Sequence, residues 1–314
     1  MSKPPLNPAS GILLIDKPGG ITSHGVVARA RRLVGTRKIG HAGTLDPMAT
    51  GLLVLGVNNS TRLLTWVVGL DKQYAATIRL GVSSSTDDAE GELSLPATPE
   101  ALEAVSDAAI AAGVAALTGA ILQRPSAVSA IKVDGKRAYT RVREGEEVIL
   151  DERTVTVSAF VVRGIVRGAW VDIDVLVDCS SGTYIRALAR DLGAALGVGG
   201  HLTALRRTRI GPFLVTEAST LDNERLAERM MSPADAAARL MPTIELTADE
   251  AADLTNGKRI PIDESVGAGP CAAVAPDGRL VGLIEQVSGR AHVLVNFPPD
   301  QSGADQPGAE EAAQ

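Results

Sequence analysis

Apolar positions recur along this chain in short runs with two different periods. Gly11 to Ile15 is a continuous apolar run followed by Lys17-Pro18-Gly19-Gly20, the pattern of a short buried strand leaving through a turn. Ser23 stands as a cap before Val26, Val27, Ala30, Leu33 and Val34, whose spacing is helical, and Gly35 closes that run. Gly40 to Gly51 reads as a glycine-rich loop, Leu52 to Leu55 as a second buried strand, and Leu63, Leu64, Val67 and Val68 as a helical stripe. Tyr74 to Leu80 alternates with period two and predicts a strand, whereas the alanine-rich stretch Pro99 to Leu117 predicts one helix. Further strands are expected at Thr154–Val162 and Trp170–Asp178, then a helix from Thr183 to Leu196 and a polar helical region.

Beyond Met241-Pro242 the pattern changes. Ala272–Ala275, Leu280–Ile284 and His292–Phe297 are short apolar runs separated by Asp277-Gly278 and Ser288-Gly289 turns, which predicts a small all-β module. From Pro298 onward the composition cannot support a core, so the tail is expected to be disordered. The whole reads as an α+β protein with a mixed, mainly antiparallel sheet flanked by helices and a cleft across its middle. The expected boundaries are a flexible 1–10, a main domain over 11–243 with a basic inserted arm at about 124–152, the β module over 244–298 and an acidic tail over 299–314.

Length and composition narrow the class. A chain of 314 residues suits two domains and buries enough surface to need no disulfide or metal staple. Cys179 and Cys271 form neither a CxxC pair nor a zinc quartet. The first residues lack the apolar centre of a signal peptide, and Ile12–Ile15 is too short to span a bilayer. The expectation is a cytoplasmic protein with no membrane association.

The net charge of −6 conceals segregation. Residues 1–70 balance at +6 and 124–143 at +5, and Arg206, Arg207 and Arg209 form a third basic cluster, while 71–123 and 215–256 each balance at −6. Basic clusters gathered on one face can bind a polyanion despite an acidic average. Each cluster taken singly is equally well a solvated face.

Two segments concentrate residues capable of chemistry. GHAGTLDPMATG (40–51) sets His41, Thr44 and Asp46 between glycines that permit unusual backbone shapes and close ligand approach; it also reads as a plain Asp-Pro turn. CSSGTYIRALARDLG (179–193) presents Tyr184 and Arg186 at a helix start, where Thr183 is an ordinary cap and arginines are usually solvated. The chain has three tyrosines, Tyr74, Tyr139 and Tyr184, and each falls in a distinctive segment.

In order, DKPGGITSH (16–24), GHAGTLDPMATG (40–51), DKQYAATIRLG (71–81), SAIKVDGKRAY (129–139) and CSSGTYIRALARDLG (179–193) resemble the TruB family, bacterial synthases that make pseudouridine 55 in the T arm of tRNA. Leu246 to Phe297 is similar to a PUA-type RNA-binding module, with Asn256-Gly257 and the Asp277-Gly278 hairpin as its marks. The resemblance implies the pseudouridine-synthase fold and an isomerisation needing no metal, cofactor or redox step, carried out by a monomer whose partner is tRNA. It implies that Asp46 is the catalytic carboxylate and that Arg186 pairs with it, a bidentate guanidinium holding the acid ionised and lowering its pKa. Tyr74 would stack on the target uracil and offer its hydroxyl for moving the C5 proton. Leu205 and Tyr184 would line the same pocket. His41 would fill the space left by an extruded uridine. Lys132, Lys136, Arg137 and Arg141 would contact T-arm phosphates. Ser126 and Val128 depart from the family pattern, which often has proline and an aromatic nearby.

Two rival classes stand beside this reading. A non-catalytic RNA binder explains the charge map but not an acid inside a glycine-rich basic loop. An aspartyl phosphotransferase is suggested by DKPGG and GTLDP, but Asp16 is followed by Lys-Pro rather than the nucleophile-loop pattern.

Overall fold

The computed structural model describes residues 9–126, 150–263, 266–267 and 269–300, together with the backbone of two short strands at 132–133 and 136–137. The first half runs β1 (Gly11–Lys17), α1 (Ser23–Val34), β2 (Ile39–Ala42), β3 (Thr50–Val57), α2 (Leu64–Val68) and β4 (Lys72–Leu80). Two helices follow, α3 (Pro99–Glu103) and α4 (Asp107–Ala116), then β5 (Gly119–Gln123) and a hairpin of β6 (Lys132–Val133) and β7 (Lys136–Arg137). The main domain continues with β8 (Arg153–Arg167), β9 (Val171–Cys179), α5 (Ile185–Ala195), β10 (Gly200–Ile210), β11 (Phe213–Leu214) and α6 (Pro233–Leu240). The C-terminal part comprises β12 (Thr243–Glu245), α7 (Ala248–Thr255), β13 (Cys271–Val274), β14 (Leu280–Val287) and β15 (Arg290–Asn296).

Nine strands form one sheet in the order β1-β3-β10-β4-β9-β8-β5, with β2 paired to β3 and β11 to β10. All its pairings are antiparallel except β3 with β10. The fold is therefore α+β with a mainly antiparallel sheet flanked by helices, as expected. β4 buries Lys72, Tyr74, Ala76, Ile78 and Leu80 on one face. α4 and α5 cover that face of the sheet, and Ile110, Val114, Leu188 and Leu192 share one core with Ile78 and Leu80. Each large aliphatic so removed from water contributes about 1.5–3 kcal/mol. α1 buries Val26, Val27, Ala30 and Val34 against Leu13, Ile15, Leu53 and Leu55.

Several local expectations are corrected. The cap of α1 is Thr22, whose side chain accepts from the Gly25 amide, and Ser23 is buried instead. The alanine-rich stretch forms two helices, because extended Ser106 starts a second one by accepting from the Ala109 amide. Thr183 does not cap α5; its hydroxyl donates to the Ser180 carbonyl, and Tyr184 is the first flanking residue. β10, which lies between β3 and β4 at the centre of the sheet, is hidden in the sequence by its charged residues. Its pairing with β4 slips between Arg207 and Arg209. The extra residue turns Arg209 to the face occupied by Arg206, away from Arg207.

A second small sheet, β12-β13-β14-β15, forms beyond Met241, but the part is not all-β as expected, because Thr247 caps the helix α7 between β12 and β13. Ala272 and Leu283 from this sheet, and Phe297 just after it, share a core with Leu52 and Val54 of β3, and with Ala236 and Ala237 of α6. Asp300, at the start of the acidic tail, accepts from the Ser10 amide at 2.7 Å; the rest of the tail lies outside the described residues. Among the described residues no helix is long and apolar enough to cross a membrane.

Candidate active site

Residues 43–49 have no regular pairing of their own, so their shape rests on side chains from three other elements. Lys17, at the end of β1, is fully buried and its Nζ donates to the carbonyls of Pro18 (2.9 Å), Pro47 (3.1 Å) and Ala49 (2.6 Å). Ser23 Oγ accepts from the Leu45 amide at 2.9 Å and donates to the Leu45 carbonyl at 3.1 Å. Arg207 of β10 donates from Nε to the Leu52 carbonyl (2.8 Å) and from Nη2 to that of Gly43 (3.0 Å). Gly51 closes the loop at φ +97°, and a Cβ there would sit 2.3 Å from the Arg207 carbonyl oxygen. Its glycine is required by the close approach of β3 to β10, not by a ligand.

Held this way, Asp46 meets α5. Arg186 Nε lies 3.0 Å from Asp46 Oδ2, while Arg186 Nη1 donates to the Thr86 carbonyl at 2.9 Å and stands 3.5 Å from Asp88 Oδ2. The guanidinium and the Asp88 carboxylate are almost fully buried, whereas the Asp46 side chain is 37 % exposed. Burial pushes the Asp46 carboxyl above the usual carboxylate range; Arg186 pulls it down, Asp88 pushes it up and Lys17 pulls it down, each by less than burial does. This corrects the expectation of a lowered pKa: the arginine acts in the stated direction but desolvation outweighs it. Burial likewise brings Lys17 down to about 8, against the pull of Asp46.

Beside this pair opens a cavity of about 360 Å³, lined by Asp46, Tyr74, Tyr184, Arg186 and Leu205 among others. Five of the expected site residues, from four separate segments, thus converge on one space. Tyr74 (β4) and Leu205 (β10) come from neighbouring strands of the covered face. Burial raises the Tyr74 phenol, with Arg207 and its hydrogen bond acting to lower it. Tyr184 is fixed by Gln123, whose side chain accepts from the Tyr184 amide (2.7 Å) and donates to its carbonyl (3.0 Å).

His41 does not line the cavity. It sits on β2 just before Gly43, with its ring edge-on to His24 at 5.5 Å and its buried Nδ1 without a partner among the described residues. Burial first, then His24 and Arg207, lowers its pKa, so the ring is neutral at pH 7. Lys132, Lys136 and Arg137 fall on the β6–β7 hairpin, and Arg141 lies outside the described residues. The third basic cluster does not survive as a cationic surface. Arg206 pairs with Asp16 (2.7 Å), Arg209 with Asp178 (2.5 Å), and Arg207 is buried against backbone carbonyls.

Sequence reasoning missed Lys17, Asp88, Arg153 and Arg207. Asp88 lay in an acidic run and Arg207 in a basic one, so both read as solvated. Arg153 lines the cavity with its guanidinium 4.8 Å from the centre of the Tyr184 ring.

The nine-stranded sheet carries an arginine-paired aspartate in a glycine-framed loop, and comparison with known proteins shows the family to which the chain belongs. The chain belongs to the TruB family of pseudouridylate synthases. Its residues 31–185 match the model of the family's N-terminal domain, residues 186–245 the tRNA pseudouridylate synthase B C-terminal domain, and residues 241–298 the tRNA pseudouridine synthase II C-terminal model. It is 60 % identical over 295 residues to tRNA pseudouridine synthase B of Leifsonia xyli, covering 93 % of this chain and 98 % of that one. It is 55 % identical over 311 residues to the enzyme of the same name from an Arthrobacter species, covering 95 % and 99 %. A solved chain from an H/ACA RNP bound to a substrate RNA containing 2′-deoxyuridine shares the fold, with a TM-score of 0.67 at 23 % identity over 93 % of this chain and 86 % of that one.

Proposed function

We propose that this protein converts uridine 55 in the T arm of tRNA to pseudouridine. The observation that carries the reading is the Asp46–Arg186 pair at the wall of a cavity large enough for one nucleotide.

The reaction breaks the N1–C1′ bond, turns the uracil, joins C5 to C1′, removes the C5 proton and returns a proton to N1. It needs an ionised carboxylate near C1′ and C6 and a grip on the detached base. Asp46 supplies the carboxylate. Arg186 favours its charged form and fixes its direction, while Asp88 and the Thr86 carbonyl hold the guanidinium from behind. Tyr74, a neutral phenol at pH 7, offers its ring to the base; its hydroxyl could take the C5 proton only after giving its own to solvent, a loss that burial opposes and Arg207 favours. Leu205 and Tyr184 exclude water around the base.

A target inside the T loop has to leave its stack, at a cost of a few kcal/mol. His41, neutral and outside the cavity, is suited to occupy the vacated position. Lys132, Lys136, Arg137 and Arg141 would hold backbone phosphates, and the C-terminal sheet would serve as a PUA-like RNA-binding module. The pure-binder rival gives no reason for the buried Arg186–Asp88 arrangement behind Asp46. Mapping pseudouridine in tRNA from cells lacking the protein tests the reading: position 55 should be unmodified, and full modification there would refute it.

A further inference from the structure

Among the described residues four cationic side chains line the cavity, Lys72, Arg153, Arg186 and Arg207, against one acid, Asp46. Three of the four are engaged. Lys72 Nζ donates to the carbonyls of Val68 (2.9 Å) and Leu70 (2.5 Å). Arg207 holds the carbonyls of Gly43 and Leu52, and Arg186 holds Asp46, Asp88 and Thr86. Arg153 differs. Among the described residues its buried Nε and Nη2 have no hydrogen-bond partner, and its guanidinium lies over the face of the Tyr184 ring.

Nε and Nη2 form one edge of the guanidinium, a two-pronged donor whose spacing matches two oxygens of a carboxylate or phosphate. The ring beneath fixes the plane of the fork. Tyr184 is itself clamped by Gln123 through both its amide and its carbonyl, so the platform does not drift. The N-terminal end of α5, an 11-residue helix, lines the same space through Ile185 and the preceding Thr183 and Tyr184, and the positive end of its dipole favours negative charge.

We propose that Arg153 is the phosphate grip of the active site: it binds a phosphodiester flanking the target uridine, turning its Nε–Nη2 edge to the backbone as the nucleotide enters. This rests on the functional reading above, since it takes the occupant of the cavity to be a nucleotide of an RNA chain. A uracil carbonyl would use one prong; a phosphodiester uses both.

The test is a binding cycle with a T-arm RNA stem-loop, in which each phosphate flanking the target uridine is replaced in turn by a neutral methylphosphonate. Wild type, Arg153→Ala and Arg153→Lys are compared. With wild type, one of the two replacements should weaken binding about tenfold or more, the range for a charge-assisted pair. Arg153→Ala should bind the unmodified RNA as weakly as wild type binds that methylphosphonate, and should lose nothing further to it. Arg153→Lys, which keeps charge and most of the packing, should bind measurably yet fall between the two. Full additivity of the methylphosphonate penalty in both variants would overturn the assignment. Pseudouridine formation is followed on the same RNAs. Failure of wild type to convert the unmodified stem-loop counts against the functional reading, while the binding cycle still decides the role of Arg153.

Discussion

Arg186 sits between two carboxylates on different segments, its Nε 3.0 Å from Asp46 and its Nη1 3.5 Å from Asp88. Asp46 is partly open to the cavity and Asp88 is shut away. Under the proposed function the open acid carries the chemistry and the closed one supports the guanidinium. Arg186→Lys cannot reproduce a fork that reaches Asp46, Asp88 and the Thr86 carbonyl together, so its single-turnover rate should fall at least about 100-fold. Asp88→Asn keeps the shape but removes the rear charge; it should lower the rate about tenfold or more while RNA affinity stays within about threefold. A stopped-flow or quench measurement at saturating enzyme reports both. Near-normal rates in either variant would detach Arg186 from the chemistry.

The raised Asp46 carboxyl fixes the sign of a pH dependence. Chemistry requires the ionised form, so the rate should climb with pH through a value above the ordinary carboxylate pKa and then level. Arg186→Gln removes the largest influence holding that pKa down, so the rising limb should move to higher pH. Single-turnover rates between about pH 4 and 8 check this, and a limb that stays put or shifts downward contradicts it.

Gly51 offers a test of how the loop is built. A methyl group there would stand 2.3 Å from the Arg207 carbonyl oxygen, on a backbone at φ +97°. Gly51→Ala should destabilise the protein by about 4 kcal/mol or more, or prevent folding, through steric overlap and backbone strain together. A melting temperature within about 2 °C of wild type would mean that β3 and β10 are not packed so closely.

The β6–β7 hairpin carries Lys136 and Arg137. Replacing both by alanine should weaken tRNA binding and flatten the slope of log affinity against log salt by about one unit per lost phosphate contact. An unchanged slope would remove this arm from the RNA-facing surface.

Much of this architecture is legible from periodicity. β1, β3, β4, β9 and the C-terminal strands are runs whose apolar pattern tertiary packing reinforces. β10 is not legible, for a physical reason. His201, Arg206, Arg207 and Arg209 fall within eleven residues, and a bulge changes which face they occupy, so no alternation survives in a strand that is central and largely buried. The site is half legible. Asp46, Arg186, Tyr74, Tyr184 and Leu205 meet as the family resemblance implies, although spacing alone leaves each of them ambiguous. Lys17, Asp88 and Arg207 escaped because buried charge satisfied by backbone carbonyls or by another buried charge looks, in a sequence, like a solvated run. The direction of the Asp46 shift escaped because desolvation is a property of the folded surroundings and not of the paired residue types.

The most direct measurement is tritium release from C5-labelled uridine in T-arm RNA by Asp46→Asn, with RNA affinity measured alongside. Asparagine preserves size and hydrogen-bonding reach while removing the negative oxygen. Release should drop about 10⁴-fold or to background, and binding should stay within about threefold of wild type. Release within tenfold of wild type would show that the carboxylate beside Arg186 is not the group on which the reaction turns.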